Sequence, residues 1–520
     1  MGASEASPRE EAQQQAVASS NLTGSYAALD LGSNSFHLIV AQYAEDRMQV
    51  VDKLKESVRI AAGLNDDGRL SDEVMERALL CLERFGQRLR HLPPGNVRVV
   101  GTNTLRRAKN SQKFLKRAEL ALGHKIDIIA GAEEARMIYL GVANSLDDGT
   151  ERRLVVDIGG GSTELIVGRR FEAELLDSLH MGCVSMSGAH FADGNLTKKR
   201  FDQAIAAAEQ QLEPVMQQYR EADWDSAIGA SGTILAVGQV AQQLPKRNRE
   251  PQECIFLADL EDIIKLMIKA QTIDALSLPG LSGERAPVFA GGVAILTAIM
   301  RSLKVSYFKT SQGALREGLL QDLLGRVHNQ DIRERTVANL TRRYHIDVEH
   351  AGRIRDQAIA LHAQVAGSWA LTDSDHQRLL GWAATLHEIG MDIAHSQYHK
   401  HGGYLLQHME MPGFANQDQR SLALLVRTHR RKFPKDEFDE DSDADIVLVR
   451  LAVLLRLAAV LHRGRTGAVL PHIGVQAADH LITLTLPGDW LENQPLTRLD
   501  LEQEAGYLES MGLTLATEEV

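Results

Sequence analysis

The sequence is poor in cysteine, in long apolar runs and in positive charge, and each shortage excludes something. Three cysteines, Cys81, Cys183 and Cys254, in 520 residues cannot build a disulfide framework, and their spacing matches no metal motif. A reducing compartment follows, and Cys81 falls on the apolar face of an expected helix as a buried thiol. No segment approaches the ~20 apolar residues that cross a bilayer, so the expected location is the cytoplasm, with at most peripheral attachment to the inner face of the membrane. The net charge of −12 argues against nucleic acid as a partner. It does not exclude a polyanion gripped by local basic clusters. Residues 1–23 are rich in Ala, Ser, Gln and Glu and lack an apolar stretch, so a disordered tail is expected rather than a signal peptide or anchor. Met1-Gly2 opens like a myristoylation site, but Ala6 stands where that motif carries Ser or Thr.

What is present is the profile of a folded, multidomain chain: 44% hydrophobic and 24% charged residues, in a length too great for one core. The most informative feature is an internal echo. Tyr26 to Asp30 reads as a buried strand, Gly32-Ser33-Asn34-Ser35 as a turn, and Phe36 to Tyr43 as a returning strand. Far downstream, Leu154 to Asp157, then Gly159-Gly160-Gly161-Ser162-Thr163, then Glu164 to Val167 repeat the pattern. Both copies read Asp-[Leu/Ile]-Gly-x-x-Ser, which points to two similar lobes facing each other across a cleft.

The rest of each lobe reads as α/β. Ser71 caps a helix whose apolar positions, Val74, Ala78, Cys81, Leu82, Phe85 and Leu89, recur at helical spacing. Strands are expected at 97–101 and 126–129, and helices from about Ala132 and over 197–219. Ala227 to Thr233 runs from a strand through a Ser-Gly-Thr turn into a helix. After Arg326 helical periodicity runs to about His462, and Leu481 to Leu486 alternates again. The expected organisation is a tail 1–23, lobe I 24–137, lobe II 138–325, a helical domain 326–465 and a small α/β appendix 466–520.

The two turns can carry chemistry. Successive backbone N–H groups in a Gly/Ser turn point into one concavity and cradle phosphate oxygens, with the hydroxyls as further donors. A strand-terminal Asp beside each turn, Asp30 and Asp157, faces the same cleft and can hold a hydrated Mg²⁺. One such turn alone is more often structural; two matching turns favour a phosphate site.

Asp30-Leu-Gly-Ser-Asn-Ser35, Gly101-Thr-Asn-Thr-Leu-Arg106, Gly131-Ala-Glu-Glu-Ala-Arg136, Asp157-Ile-Gly-Gly-Gly-Ser-Thr-Glu164 and Ala230-Ser-Gly-Thr233 together resemble the motif set of the exopolyphosphatase/guanosine-pentaphosphate phosphohydrolase (Ppx/GppA) family. That resemblance runs from about Ser25 to the C-terminus. It implies two actin-like (ribonuclease H-like) lobes around a cleft, as in actin, the sugar kinases and the heat-shock chaperone ATPases. It also implies a homodimer. Gly32, Ser33, Asn34 and Ser35 would contact phosphate from the first lobe, and Gly160, Gly161, Ser162 and Thr163 from the second, joined by Ser231, Gly232 and Thr233. Arg106 would bind a phosphate through its fork of donors. Glu134 corresponds to the carboxylate that activates water, and Glu133 is its competitor; adjacent helical positions diverge by ~100°, so both cannot face the cleft. Asp157 and Glu164 correspond to metal-associated acids, with Asp30 as a further candidate. The implied cofactor is Mg²⁺, with a monovalent cation as a second.

In the helical region Leu386-His387-Glu388-Ile389-Gly390, with His395, His399, His401 and His429, resembles an HD-type phosphohydrolase domain in which Glu replaces the usual Asp. No full ligand set is apparent, so a degenerate, structural HD-like domain is expected. Basic runs occur at Lys198 to Arg200, at Lys246, Arg247 and Arg249, and at Arg427, Arg430, Arg431 and Lys432. The last run is expected to line a channel for a polymer.

Within the family the choice lies between long-chain inorganic polyphosphate and guanosine pentaphosphate. Gly161, where pentaphosphate-specific members tend to carry Ala, and the segments Gly101 to Arg106 and Leu276 to Ser282 resemble the polyphosphatase branch. Processive exopolyphosphatase activity is the first expectation and pentaphosphate hydrolysis the alternative. An actin-fold sugar kinase and a non-catalytic polyphosphate or alarmone sensor are the readings from other classes.

Overall fold

A computed structural model describes residues 24–519 except 45–46, 66, 147–149, 245–249, 252, 328–330, 439–441, 468 and 479. The expected tail 1–23 and the basic residues Lys246, Arg247 and Arg249 lie outside the described residues. The chain divides into two compact units, Met1–Asp331 and Ile332–Val520.

The first unit contains two sheets built on one plan. Strands β1 (Gly24–Leu31), β2 (Phe36–Ala44) and β3 (Arg47–Glu56) form an antiparallel meander, β4 (Val97–Gly101) pairs parallel to β1, and β5 (Asp127–Ile128) follows, in the order β3-β2-β1-β4-β5. The second sheet repeats this with β6 (Arg152–Ile158), β7 (Thr163–Arg169) and β8 (Glu172–Leu179) as the meander and β9 (Ser226–Ala230) parallel to β6. Strands β10 (Ile255–Phe256) and β11 (Tyr307–Thr310) extend it to β10-β11-β9-β6-β7-β8. The echo in the sequence is therefore larger than a hairpin. Asp30 faces His37 on β2 and Val100 on β4, and Asp157 faces Glu164 on β7 and Ala230 on β9.

Both central strands are buried on two faces, and alternation assigns each face its core. On β1, Ala27, Leu29 and Leu31 join a cluster with the helices Asp72–Leu89 and Ser111–Leu122, while Tyr26 and Ala28 face a different cluster. On β6, Leu154, Val156 and Ile158 pack into a third cluster around the helix Ala286–Leu303, while Val155 faces the same cluster as Ala28. This shared core between the sheets is filled by the helices Gly131–Asn144 and Leu315–Val327. Ser71 accepts from Val74 N at the start of its helix, a cap worth about 1 kcal/mol.

Three expectations change. A lobe boundary at 137 falls inside the continuous helix Gly131–Asn144, whose apolar face serves both sheets. The helix Leu315–Val327 belongs to the first unit, so the division comes after Asp331, not at 326. Ala286–Leu303 is, by length and mean hydropathy of 1.6, a helix that could cross a bilayer; here it is 78% buried as the centre of a core.

The second unit runs through helices from Ile332–Arg343 to Asp443–Leu461 and ends in a sheet ordered β12 (Gly474–Ala478), β13 (Leu481–Leu486) and β14 (Thr514–Glu519), with the helix Pro495–Glu509 between the last two. The sheet is no separate appendix at 466–520. Val475, Ile482 and Leu484 share one core with Ile354, Leu361, Trp369 and Leu455 of the helices. Arg456, fully buried, clamps the junction by donating to Glu504 and to the carbonyls of Thr428 and Arg431.

Candidate active site

The two turns meet. The carbonyls of Ser33 and Asn34 accept from Ala61 N (3.0 Å) and Arg59 N (2.7 Å), and those of Gly159 and Gly160 accept from Cys183 N (2.8 Å) and Val184 N (2.9 Å) at the start of the helix Cys183–His190. A trans peptide points its N–H opposite to its carbonyl, so the N–H groups of Asn34, Ser35, Gly160 and Gly161 are turned away from these anchors. A Cβ on Gly160 would stand 3.0 Å from Ser33 Cβ and 3.6 Å from Asn34 N. Between the loops lies a cavity of about 300 Å³.

Gly32, Ser33, Asn34 and Ser35 line it from the first lobe, and Gly160 and Ser162 from the second, with Ser231, Gly232 and Thr233 at the N-terminus of the helix Ser231–Gln242. Ser231 adopts a left-handed backbone (φ 78°), and its hydroxyl caps Ile234 N at 3.4 Å. Two expected phosphate ligands do not reach the cavity. Thr163 is fully buried and donates to Met181 O at 2.7 Å. Gly161 lies beneath the lining, where an added Cβ would come 2.8 Å from Asn103 Oδ1.

Glu134 lines the cavity from the first turn of the helix Gly131–Asn144. Its carboxylate accepts from Arg106 Nη1 at 3.2 Å, and the same nitrogen donates to Ile129 O at 2.7 Å. Arg106 thus touches the site through Glu134 rather than by lining the cavity. Glu133 turns to Arg136, which donates to both its oxygens (2.8 and 2.9 Å) and to Asp322 (2.7 Å). Burial raises the Glu134 pKa, with Arg106 offsetting part of the rise.

Asp30, Asp157 and Glu164 share the cavity with Glu134. Burial and then the charge of Glu134 push Asp30 up to about 8 and Asp157 up to about 7; Glu164 is raised well above the usual carboxylate range by burial, Glu134 and Asp157. Asp30 Oδ1 is buried without a hydrogen-bond partner. Mutually repelling, buried oxygen donors of this kind fit a hard divalent cation, so Asp30, Asp157 and Glu164 suit Mg²⁺.

Three cations lining the cavity carried no motif: Lys55, Arg285 and Arg316. Lys55 on β3 pairs with His37 on β2, which pairs with Asp30 on β1, so one row across three strands ends in the cleft. Strand alternation from Asp30 was the signal that could have found it. The Arg285 guanidinium lies against Gly232, where any Cβ would overlap it at 1.8 Å. Burial and then the charges of Arg316, Lys55 and Arg285 push His37 down to about 3, so it is neutral at physiological pH.

The histidines of the second unit form a separate pocket in which His387, Glu388, His395 and His429 come together, while His399 and His401 stay outside its lining. Arg430 and Arg431 also line it, with Arg430 stacked 4.6 Å over Tyr398. Arg427 instead lines a different hollow and pairs with Glu437 at 2.6 Å, and Lys432 is exposed. The helix Asn416–Thr428 ends inside this run and Arg431 takes a left-handed backbone (φ 66°), so the four basic residues do not line one groove.

The profile of the Ppx/GppA phosphatase family matches residues 39–327, and that of Ppx/GppA phosphatase, domain III, matches residues 332–505. A guanosine-5'-triphosphate,3'-diphosphate pyrophosphatase from Aeromonas hydrophila is 41% identical over 94% of this chain and 97% of its own. The protein of the same description from Vibrio cholerae is 41% identical over 95% and 98%. Among solved structures, an exopolyphosphatase-like protein is similar at 25% identity and TM-score 0.51, covering 58% of this chain and 99% of its own. An exopolyphosphatase from Cytophaga hutchinsonii shares the fold at 22% identity and TM-score 0.52, covering 59% and 99%.

Proposed function

Because the chain belongs to the Ppx/GppA phosphatase family, whose members hydrolyse phosphoanhydride bonds, we propose that its substrate is guanosine pentaphosphate, cleaved at the terminal 5'-phosphate to give guanosine tetraphosphate and inorganic phosphate. The observation that carries this reading is the 41% identity, over nearly the whole length of both chains, to relatives described as acting on that nucleotide. Polyphosphate, expected first from Gly161 and the segments 101–106 and 276–282, takes second place. Gly161 packs against Asn103 of the first segment and does not line the cavity. Gly161 and Asn103 share one packing contact, so the two features count as a single argument for polyphosphate.

In this reading the N–H groups of Asn34, Ser35 and Gly160, with the hydroxyls of Ser33, Ser35 and Ser162, hold the terminal phosphate from both sides. Bound Mg²⁺, held by Asp30, Asp157 and Glu164, would neutralise phosphate charge. Glu134 orients water in line with the scissile bond and takes its proton as the P–O bond to the leaving phosphate breaks; the loose transition state makes positioning the main demand. Arg106, from behind the cavity wall, fixes the Glu134 carboxylate and offsets part of its raised pKa. Lys55, Arg285 and Arg316 meet the remaining phosphates.

The test is phosphate release by the purified chain with Mg²⁺. The kcat/KM for guanosine pentaphosphate should exceed that for long polyphosphate by at least about tenfold, ~1.4 kcal/mol in transition-state binding. The reverse order would restore the polyphosphatase reading, and binding without release from either would make the protein a sensor.

A further inference from the structure

The catalytic cleft uses none of the histidines of the second unit. Three side chains there converge from distant points in the sequence. His350 lies in the helix Val348–Val365, and His387 and Glu388 follow the helix Ser374–Leu386. Each offers one ligand atom, the three atoms lie within 4.8 Å of one another, and all three residues are buried, at 4%, 2% and 7% exposure. They border a cavity of about 290 Å³.

The protonation pattern favours a ligand. His387 Nδ1 lies 2.8 Å from Ala384 O, so that nitrogen carries the hydrogen and donates it. Nε2 is left with its lone pair, 3.8 Å from Glu388 Oε1. A carbonyl that fixes the tautomer in this way is the usual support behind a metal-bound imidazole. His350 Nδ1 is buried with no hydrogen-bond partner, an unfavourable arrangement unless another atom satisfies it. Two imidazole nitrogens and one carboxylate are a donor set for a borderline transition metal, whereas Mg²⁺ takes oxygen ligands such as those in the cleft.

We propose that His350, His387 and Glu388 form a binding site for a divalent transition metal ion of the zinc type, with its remaining positions open to the cavity. Arg465 is the competitor. Its guanidinium donates to Glu388 Oε1 and reaches Asp347 Oδ2 at 3.5 Å. A metal ion displaces it from Glu388, and Asp347 is at hand to receive it. Nothing in this site depends on which substrate the cleft takes.

The full-length chain, stripped with chelator, is titrated with Co²⁺ and with Zn²⁺, following the visible ligand-field absorption of Co²⁺ and metal content after dialysis. A single equivalent of Co²⁺ should bind with an absorption spectrum typical of nitrogen ligands and be displaced by Zn²⁺. His350→Ala and His387→Ala should each weaken binding by at least about tenfold, and Asp157→Asn in the cleft should leave it intact. Glu388→Gln, a smaller change, should weaken it as well, and Arg465→Ala should tighten it. The proposal is overturned if neither the native chain nor Arg465→Ala gives the absorption, because the three side chains then hold no metal even with the competing guanidinium removed. Binding that survives His387→Ala but is lost in Asp157→Asn also overturns it.

Discussion

Glu133 and Glu134 adjoin in the chain yet serve different surroundings, because a helix turns ~100° per residue. Glu134 enters the cleft beside Arg106, and Glu133 is held by Arg136 in a buried ion-pair network with Asp322. Glu134→Gln should lower kcat by about 10³-fold, within the range of a lost general base, while equilibrium binding of guanosine pentaphosphate persists. Glu133→Gln should leave chemistry nearly intact and cost about 3 kcal/mol in urea denaturation, as when one partner of a buried pair is removed. Equal losses of turnover in the two variants would mean that Glu134 is not the base. Gly161 poses a different question. An Ala there meets Asn103 Oδ1 at 2.8 Å, so Gly161→Ala should reduce kcat/KM for guanosine pentaphosphate and polyphosphate by the same factor, with partial recovery in the Gly161→Ala/Asn103→Ala double variant. A change in the ratio of the two substrates would return Gly161 to the role of a specificity residue.

At the scale of the element, what was legible in the sequence was local. The two hairpins, the strand-terminal Asp30 and Asp157, the Ser71 cap and the helix bearing Glu134 all follow from turn residues and apolar periodicity within a few positions. Thr163 was misjudged although the same rule applied: Leu165 and Val167 face a core, so a residue two positions earlier faces it too, and Ser162 and Glu164 face the cleft. Arg285 and Arg316 had no signal, since they arrive from the start of one helix and the first turn of another, far along the chain. The C-terminal strands were readable, but periodicity tells which face is apolar and not what that face will meet, so their fusion with the helical core was invisible. The helix Tyr398–His408 carries a pH response. Burial, then the charges of Arg430, Lys400, Arg427 and Arg431, push His399 down to about 4, below the ~6.5 of an unfolded chain. Between these values the unfolded state takes up a proton that the folded state refuses. Stability is therefore full above about pH 6.5 and declines as pH falls toward 4. Urea midpoints measured from pH 7 to 4.5 should fall less steeply in His399→Gln than in the native chain, and parallel curves would remove His399 as a source of the response.

At the scale of the whole molecule, both sheets of the first unit share one core, and the two helices that fill it cross backbone to backbone. A Cβ on Gly318 would come 1.8 Å from Met137 O, and one on Gly141 2.0 Å from Ala314 O. Gly318→Ala must drive the helices apart, and overpacking of this kind costs about 1–3 kcal/mol. Calorimetry of the full chain should show a lower transition for the first unit and none of the shift in the second; an unchanged thermogram would show that the crossing tolerates a methyl group. The crossing has a mechanical side. At Gly141 and Gly318 the two backbones touch with no side chain between them, while Met137, Ile138, Leu319 and Leu320 around them pack into the shared core. Glu134 rides on one of these helices and Arg316 on the other. A small shift at that contact would alter the gap between Glu134 and the Arg316 guanidinium while each sheet stayed whole.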